Sequence, residues 1–242
     1  MRILPDVYLV GSGEIGLSDS YDCHVYVLDG GDDAVLIDAG CGIDSARLVA
    51  NLAQHIDIDK LSRVLLTHVH ADHAGGAQYF QRLGKTVLVS SVEADLMRNS
   101  RDSIAEALQL AKNAGAYPAD YEYRFFTPDG TIQDGQTIRV GTYRLTPILT
   151  RGHSPGLLCF YLQTDHSNIL FSSDQVFING SIGLLNAPGS SLEEYRCDIA
   201  KLSGLAVDAL LPGHRLFVLT GGQDHIDRAA DALSRVFVPP TF

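Results

Sequence analysis

The run Thr67-His68-Val69-His70-Ala71-Asp72-His73 constrains this chain more than any other feature. It packs four metal-compatible side chains, His68, His70, Asp72 and His73, into six residues. Imidazole nitrogens and carboxylate oxygens are the donors that borderline divalent metals take, with a position left open for water. A helix cannot aim all four at one point. A tight loop can: residues 68, 70 and 72 alternate to one side while His73 turns under them. Gly75 and Gly76 follow and let the backbone bend and pack closely. Apolar Val64-Leu65-Leu66 comes directly before, so the motif is expected in a loop at the carboxyl end of a buried strand, a usual place for chemistry in layered α/β folds.

A lone histidine in a loop is ordinarily a surface residue, whereas four ligand types at fixed offsets point to a metal site. Three more candidates lie downstream, each in a turn after a strand-like run: His153 in Gly152-His153-Ser154-Pro155-Gly156, Asp174 in Ser172-Ser173-Asp174, and His214 in Pro212-Gly213-His214. Five histidines and two aspartates suffice for two metals. His55, His166 and His225 are expected to be solvated. His24 lies in an early strand that could point toward the site. Asp38 ends the run Val35-Leu36-Ile37-Asp38, and a carboxylate there needs partners. It either orients a ligand histidine or caps a helix beginning near Asp44.

The 242 residues are 45% hydrophobic, enough for one well-cored domain spanning 1–242. A formal charge of −11 and the lack of a basic stripe argue against nucleic acid as a partner. No apolar run approaches the ~20 residues that span a bilayer. Cys23, Cys41, Cys159 and Cys197 form no CxxC pair and are expected as reduced thiols. The first residues do not read as a signal peptide, so a cytoplasmic location is expected.

Apolar runs predict strands at 7–10, 24–28, 34–37, 64–66, 86–89, 137–140, 143–149, 157–162, 169–171 and 209–211. Asp29-Gly30-Gly31-Asp32-Asp33 predicts a hairpin turn. Helical spacing predicts helices at 44–55, 74–83, 92–114 (broken near Asn99-Ser100), 192–202 and 224–236. Strands outnumber helices and alternate with them in blocks, which suits two packed sheets with helices outside. Residues 92–126 are amphipathic and then aromatic, with Tyr117, Tyr121, Tyr123 and Phe125. They form either a helical lid over an apolar pocket or ordinary core. The apolar tail 236–242 either docks on a partner subunit, giving a homodimer, or folds back on its own chain.

Leu36-Ile37-Asp38-Ala39-Gly40, the 67–76 motif, Gly152-His153-Ser154-Pro155-Gly156, Ser173-Asp174 and Pro212-Gly213-His214 together resemble the metallo-β-lactamase superfamily, in the family's order and over nearly the whole chain. The resemblance implies an α/β fold, a four-layer αββα sandwich with the metal site at one edge of the sheets. It implies that His68, His70 and His153 hold one divalent metal, that Asp72, His73 and His214 hold the other, and that Asp174 bridges them. Zinc is the first choice, with iron or manganese also compatible. The implied activity is hydrolysis of a small-molecule ester, thioester or lactone by metal-activated hydroxide, with Asp72 orienting the nucleophile or taking its proton.

Among the branches, the pattern looks most like glyoxalase II enzymes and lactonases. The β-lactamases proper usually carry Cys at the place of Asp174, and nucleases usually add domains. Glyoxalase II enzymes add a helical C-terminal region, against about 28 residues after His214 here. Lactonases carry Tyr where this chain has Phe177, a residue placed at the pocket that cannot donate a hydrogen bond. Two alternatives remain: a mono-iron persulfide or thiol dioxygenase-like oxidoreductase, which would not need His214, and a non-catalytic metal-binding protein on the same fold.

Overall fold

The computed structural model describes residues 1–235 and 238–241. The chain divides into two compact units, Met1–Ile132 with Val140–Thr142, and Gln133–Arg139 with Tyr143–Phe242. The first contains β1 (Arg2–Leu4), β2 (Val7–Gly11), β3 (Val25–Asp29), β4 (Ala34–Ile37), α1 (Ser45–Ala53), β5 (Leu61–Leu65), α2 (Ala71–Ala74), α3 (Ala77–Arg82), β6 (Thr86–Ser90), α4 (Ser91–Asn99), α5 (Arg101–Asn113) and β7 (Gly130–Ile132). The second sheet begins with β8 (Ile138–Val140) and continues with β9 (Tyr143–Leu149), β10 (Leu158–Gln163), β11 (Asn168–Ser173) and β12 (Ala209–Pro212); α6 (Leu192–Asp198) and α7 (Gly222–Ser234) complete the chain.

The first sheet has the order β1-β2-β3-β4-β5-β6-β7. Its first four strands are antiparallel and β4 to β7 run parallel. The hairpin turn at Asp29–Asp33 forms as expected, with Asp29 opposite Ala34 and the Gly31 N–H donating to Asp29 Oδ1 at 2.9 Å. All four residues of β4 are buried, which is why its sequence is an unbroken apolar run rather than an alternating one. In α1, Leu48 and Leu52 face the core, and Asp44 itself caps the helix by accepting from the Arg47 N–H at 3.1 Å. Asp38 is therefore not the cap. Leu36, Val64, Leu66, Phe80 and Val89 join one buried cluster.

The second sheet has the order β12-β11-β10-β9-β8. β11 is antiparallel to β10 and parallel to β12, and β9 is antiparallel to β10. Its core gathers Leu157, Cys159, Leu170, Tyr195, Leu210 and Ile226. The described tail folds back on its own unit: the Ile182 N–H donates to the Pro240 carbonyl at 2.9 Å, and Ile182 bridges Thr241. Val236, Phe237 and Phe242 lie outside the described residues, and with them the end expected for the last helix and much of the apolar tail. All four cysteines are free thiols. No helix among the described residues is long and apolar enough to cross a membrane.

Two short strands, β1 and β7, were not expected; each has three residues, too few for a period-two pattern to show. The His-rich loop also differs from expectation. His70 is extended (φ −64°, ψ 154°), and a single helical turn starts at Ala71 rather than Ala74, with the Ala74 N–H donating to the His70 carbonyl at 2.9 Å. An extended run thus presents His68 and His70, and a helical turn presents Asp72 and His73. Gly76 lies after this turn with helical dihedrals, so it is needed for space rather than for unusual φ: a Cβ there would stand 2.2 Å from the Ala39 carbonyl oxygen. Gly76→Ala is expected to destabilise the protein by at least about 2 kcal/mol, read from the urea unfolding midpoint.

Candidate metal centre

Strand direction explains where the ligand candidates sit. β4 and β5 are parallel neighbours, so the residues that follow them, Asp38 and the 67–73 run, emerge at the same edge of the first sheet. In the second sheet β9, β11 and β12 all point one way, so His153, Asp174 and His214 emerge together at their carboxyl ends. This is the edge at which α/β sheets carry ligand sites.

In the first unit the rings of His68 and His70 lie 4.5 Å apart, and those of His68 and His73 lie 4.2 Å apart. His73 Nε2 is 3.5 Å from Asp72 Oδ2. Asp38 organises the group. Buried and only 2% exposed, it accepts from His73 Nδ1 at 2.8 Å, from the Thr67 N–H at 2.8 Å and from the Thr67 hydroxyl at 2.9 Å. The Thr67 hydroxyl stands 3.0 Å from His68 Nδ1. Having given its own proton to Asp38, that oxygen accepts from the ring, so one carboxylate orients two histidines. Burial pushes the Asp38 carboxyl up, and the His73 ring and the Thr67 donors work against that shift. Asp38 takes φ +66°, a left-handed conformation costing roughly 1–2 kcal/mol that the surrounding bonds maintain.

In the second unit His153 Nε2 is 3.5 Å, and His214 Nε2 3.6 Å, from the same oxygen, Asp174 Oδ2. His153 Nδ1 donates to the Gly183 carbonyl. The turn before it needs Gly152: its φ is +133°, and a Cβ would meet the Tyr195 ring at 2.5 Å. The Tyr195 hydroxyl in turn donates to the Asp174 carbonyl at 3.1 Å. Arg151 fixes the start of the turn, its backbone N–H and Nε both donating to Asp198 Oδ2 at 2.9 Å. Burial works to raise the Asp198 carboxyl, but Arg151 and Lys201 prevail and hold it at about 2.

These donors suit a metal. His68, His73 and His153 each have Nδ1 engaged by an oxygen, the pattern typical of an imidazole that would hold a metal through Nε2. His24 is buried in the first unit, its ring edge-on to Tyr26, and Phe177 is buried in the second. Neither is among the groups that could together hold an ion. His225, expected to be solvated, accepts from the Asn179 N–H through Nδ1 at 2.9 Å.

Sequence reasoning missed several residues that hold the His-rich loop. Glu93 is fully buried and accepts from the Val69 N–H at 3.0 Å. Its signal was the spacing Ser90-x-x-Glu93, which reads only as a helix cap; Ser90 does cap α4. Three tyrosines between 117 and 123 also reach the neighbourhood of this loop. The Tyr117 hydroxyl donates to Asp72 Oδ1 at 2.6 Å, Tyr121 donates to the Cys41 carbonyl at 2.7 Å, and Tyr123 donates to the Val69 carbonyl at 3.0 Å. Burial, then the Asp72 charge, pushes the Tyr117 hydroxyl well above the ordinary range, so it remains a donor.

The chain belongs to the metallo-β-lactamase superfamily: the family's sequence pattern matches residues 19–214. Over 232 residues it is 28% identical to an atrochrysone carboxyl ACP thioesterase of Aspergillus fumigatus, a match covering 96% of this chain and 62% of that protein. It is 29% identical over 194 residues to a probable polyketide biosynthesis zinc-dependent hydrolase, BaeB, of Bacillus velezensis, covering 79% and 68% of the two chains. A metallo-β-lactamase structure from Cronobacter sakazakii superposes with a TM-score of 0.73 at 21% identity, covering 97% of this chain and 92% of that one. The expected fold class is thus met, with two sheets and their helices.

Asp38→Asn is expected to weaken metal binding by roughly 10–100-fold, measured by competition with a chromophoric chelator. Asp198 gives a pH signature. Its pKa is lower folded than unfolded, so its contribution to stability is complete above the ordinary value of 3.8 and is lost as pH falls through about 2. The stability gap between wild type and Asp198→Asn should be constant above about pH 5 and should close between pH 4 and 2, in urea melts at a series of pH values.

Proposed function

We propose that this protein is a zinc-dependent hydrolase of acyl thioesters, with His68, His70 and His153 holding one metal, Asp72, His73 and His214 the other, and Asp174 bridging them. The observation that carries this reading is the set of imidazoles whose Nδ1 atoms are tied to protein oxygens, so that Nε2 is presented for coordination. The names of the thioesterase and zinc-dependent hydrolase relatives support it.

When bound, the metals supply an activated water at neutral pH and polarise the acyl oxygen. The chain's own groups do the rest. Asp38, directly and through Thr67, fixes the ring planes of His73 and His68. Asp72 is the acceptor for the proton of the attacking water. The relatives named as thioesterases support a thioester rather than an ester or lactone as the substrate, and Phe177, at the place where lactonases carry Tyr, is buried and has no hydroxyl to donate.

Protein purified without added metal should contain about two zinc ions per chain by elemental analysis, falling toward one in His214→Ala. It should release thiol from acyl-coenzyme A, and His214→Ala should lose more than the roughly 10–100-fold that removing an outer partner costs. One iron per chain that survives loss of His214, with oxygen uptake on thiol or persulfide substrates, would overturn this reading.

A further inference from the structure

We infer that Tyr117 is a positioning residue for Asp72, selecting which carboxylate oxygen faces the metal. This rests on the reading of Asp72 as a ligand. Asp72 differs from its neighbours in the motif. Its side chain is 15% exposed, whereas that of His73 is fully buried and tied to Asp38. A carboxylate at such a place turns freely about its χ angles unless something holds it. The Tyr117 hydroxyl does so at two points, donating to Asp72 Oδ1 at 2.6 Å and accepting from the Asp72 backbone N–H at 3.2 Å. With Oδ1 occupied, Oδ2 is the atom that remains beside His73 Nε2, 3.5 Å away.

The tyrosine is itself anchored. Its ring stacks on Tyr121 (5.2 Å between centroids, 18° between planes) and on Tyr21 (6.2 Å, 27°). Tyr121 is fixed in turn by its bond to the Cys41 carbonyl. A stiff two-χ side chain wedged between two rings holds its hydroxyl at a set place at little entropic cost. Residues 114–126 thus act on the candidate centre through a hydroxyl, besides whatever pocket wall they supply.

Tyr117→Phe keeps the stacked ring and removes only the hydroxyl. Zinc titration against a chelator should show one of two sites losing roughly 10–100-fold in affinity while the other is unchanged. The metal-free variant should melt close to the wild type. In an Asp72→Asn background the same substitution should have little further effect, because Tyr117 acts through Asp72. Equal weakening of both sites, a large fall in the metal-free melting temperature, or an undiminished effect in the Asp72→Asn background would each overturn the inference. A wild-type chain that binds only one metal would instead strike at the dinuclear reading, a distinguishable failure.

Discussion

One buried carboxylate, Asp38, organises the ligand candidates of the first unit. It sits just past β4, and its parallel neighbour β5 ends beside it, so that the Asp38 N–H donates to the Leu65 carbonyl at 3.1 Å. From there Asp38 reaches Thr67, and through it His68, and reaches His73 directly. A carboxylate removed from water is costly unless several donors compensate it. Here the donors are the groups that must be held still for coordination. The cost of burying Asp38 and the orientation of two histidines are therefore one interaction, and the left-handed backbone at Asp38 is maintained by it.

The second unit reaches a comparable end by other means. There β11 and β12 lie side by side in parallel, and the Gly213 N–H donates to the Ser173 carbonyl at 2.9 Å. Ser173 and Arg215, which flank Asp174 and His214, both take positive φ, at 49° and 66°. Such conformations collect where a chain must turn sharply to present a side chain. Both units thus place ligand candidates where a parallel pair of strands ends.

Much of the centre was legible beforehand. The 67–73 run combines ligand types and spacing that a surface loop has no reason to contain, and Gly-Pro-Ser neighbours marked the turns at His153, Asp174 and His214. The break at Ser100 and the Asp-Gly hairpin were legible because each rests on a local backbone preference. The supports were not legible. Glu93 reads as a helix-cap partner and the 117–123 tyrosines read as pocket wall or core; their hydrogen bonds span 24 to 80 positions in sequence, and no local pattern announces such a pairing.

The sequence by itself determined the identity of the ligand candidates, the order of the longer strands and helices, and the family. These follow from side-chain chemistry and from periods of two and of three to four residues, which a chain carries wherever it folds. Only the tertiary structure decided which nitrogen His68, His73 and His153 present, that Asp38 orients rather than caps, that a helical turn begins at Ala71, and that a tyrosine hydroxyl 45 positions away holds Asp72. The contact of Asp38 with His73, like that of Tyr117 with Asp72, is a hydrogen bond between groups distant in the chain. Its existence depends on where strands end relative to one another, a fact that packing fixes and residue order does not express.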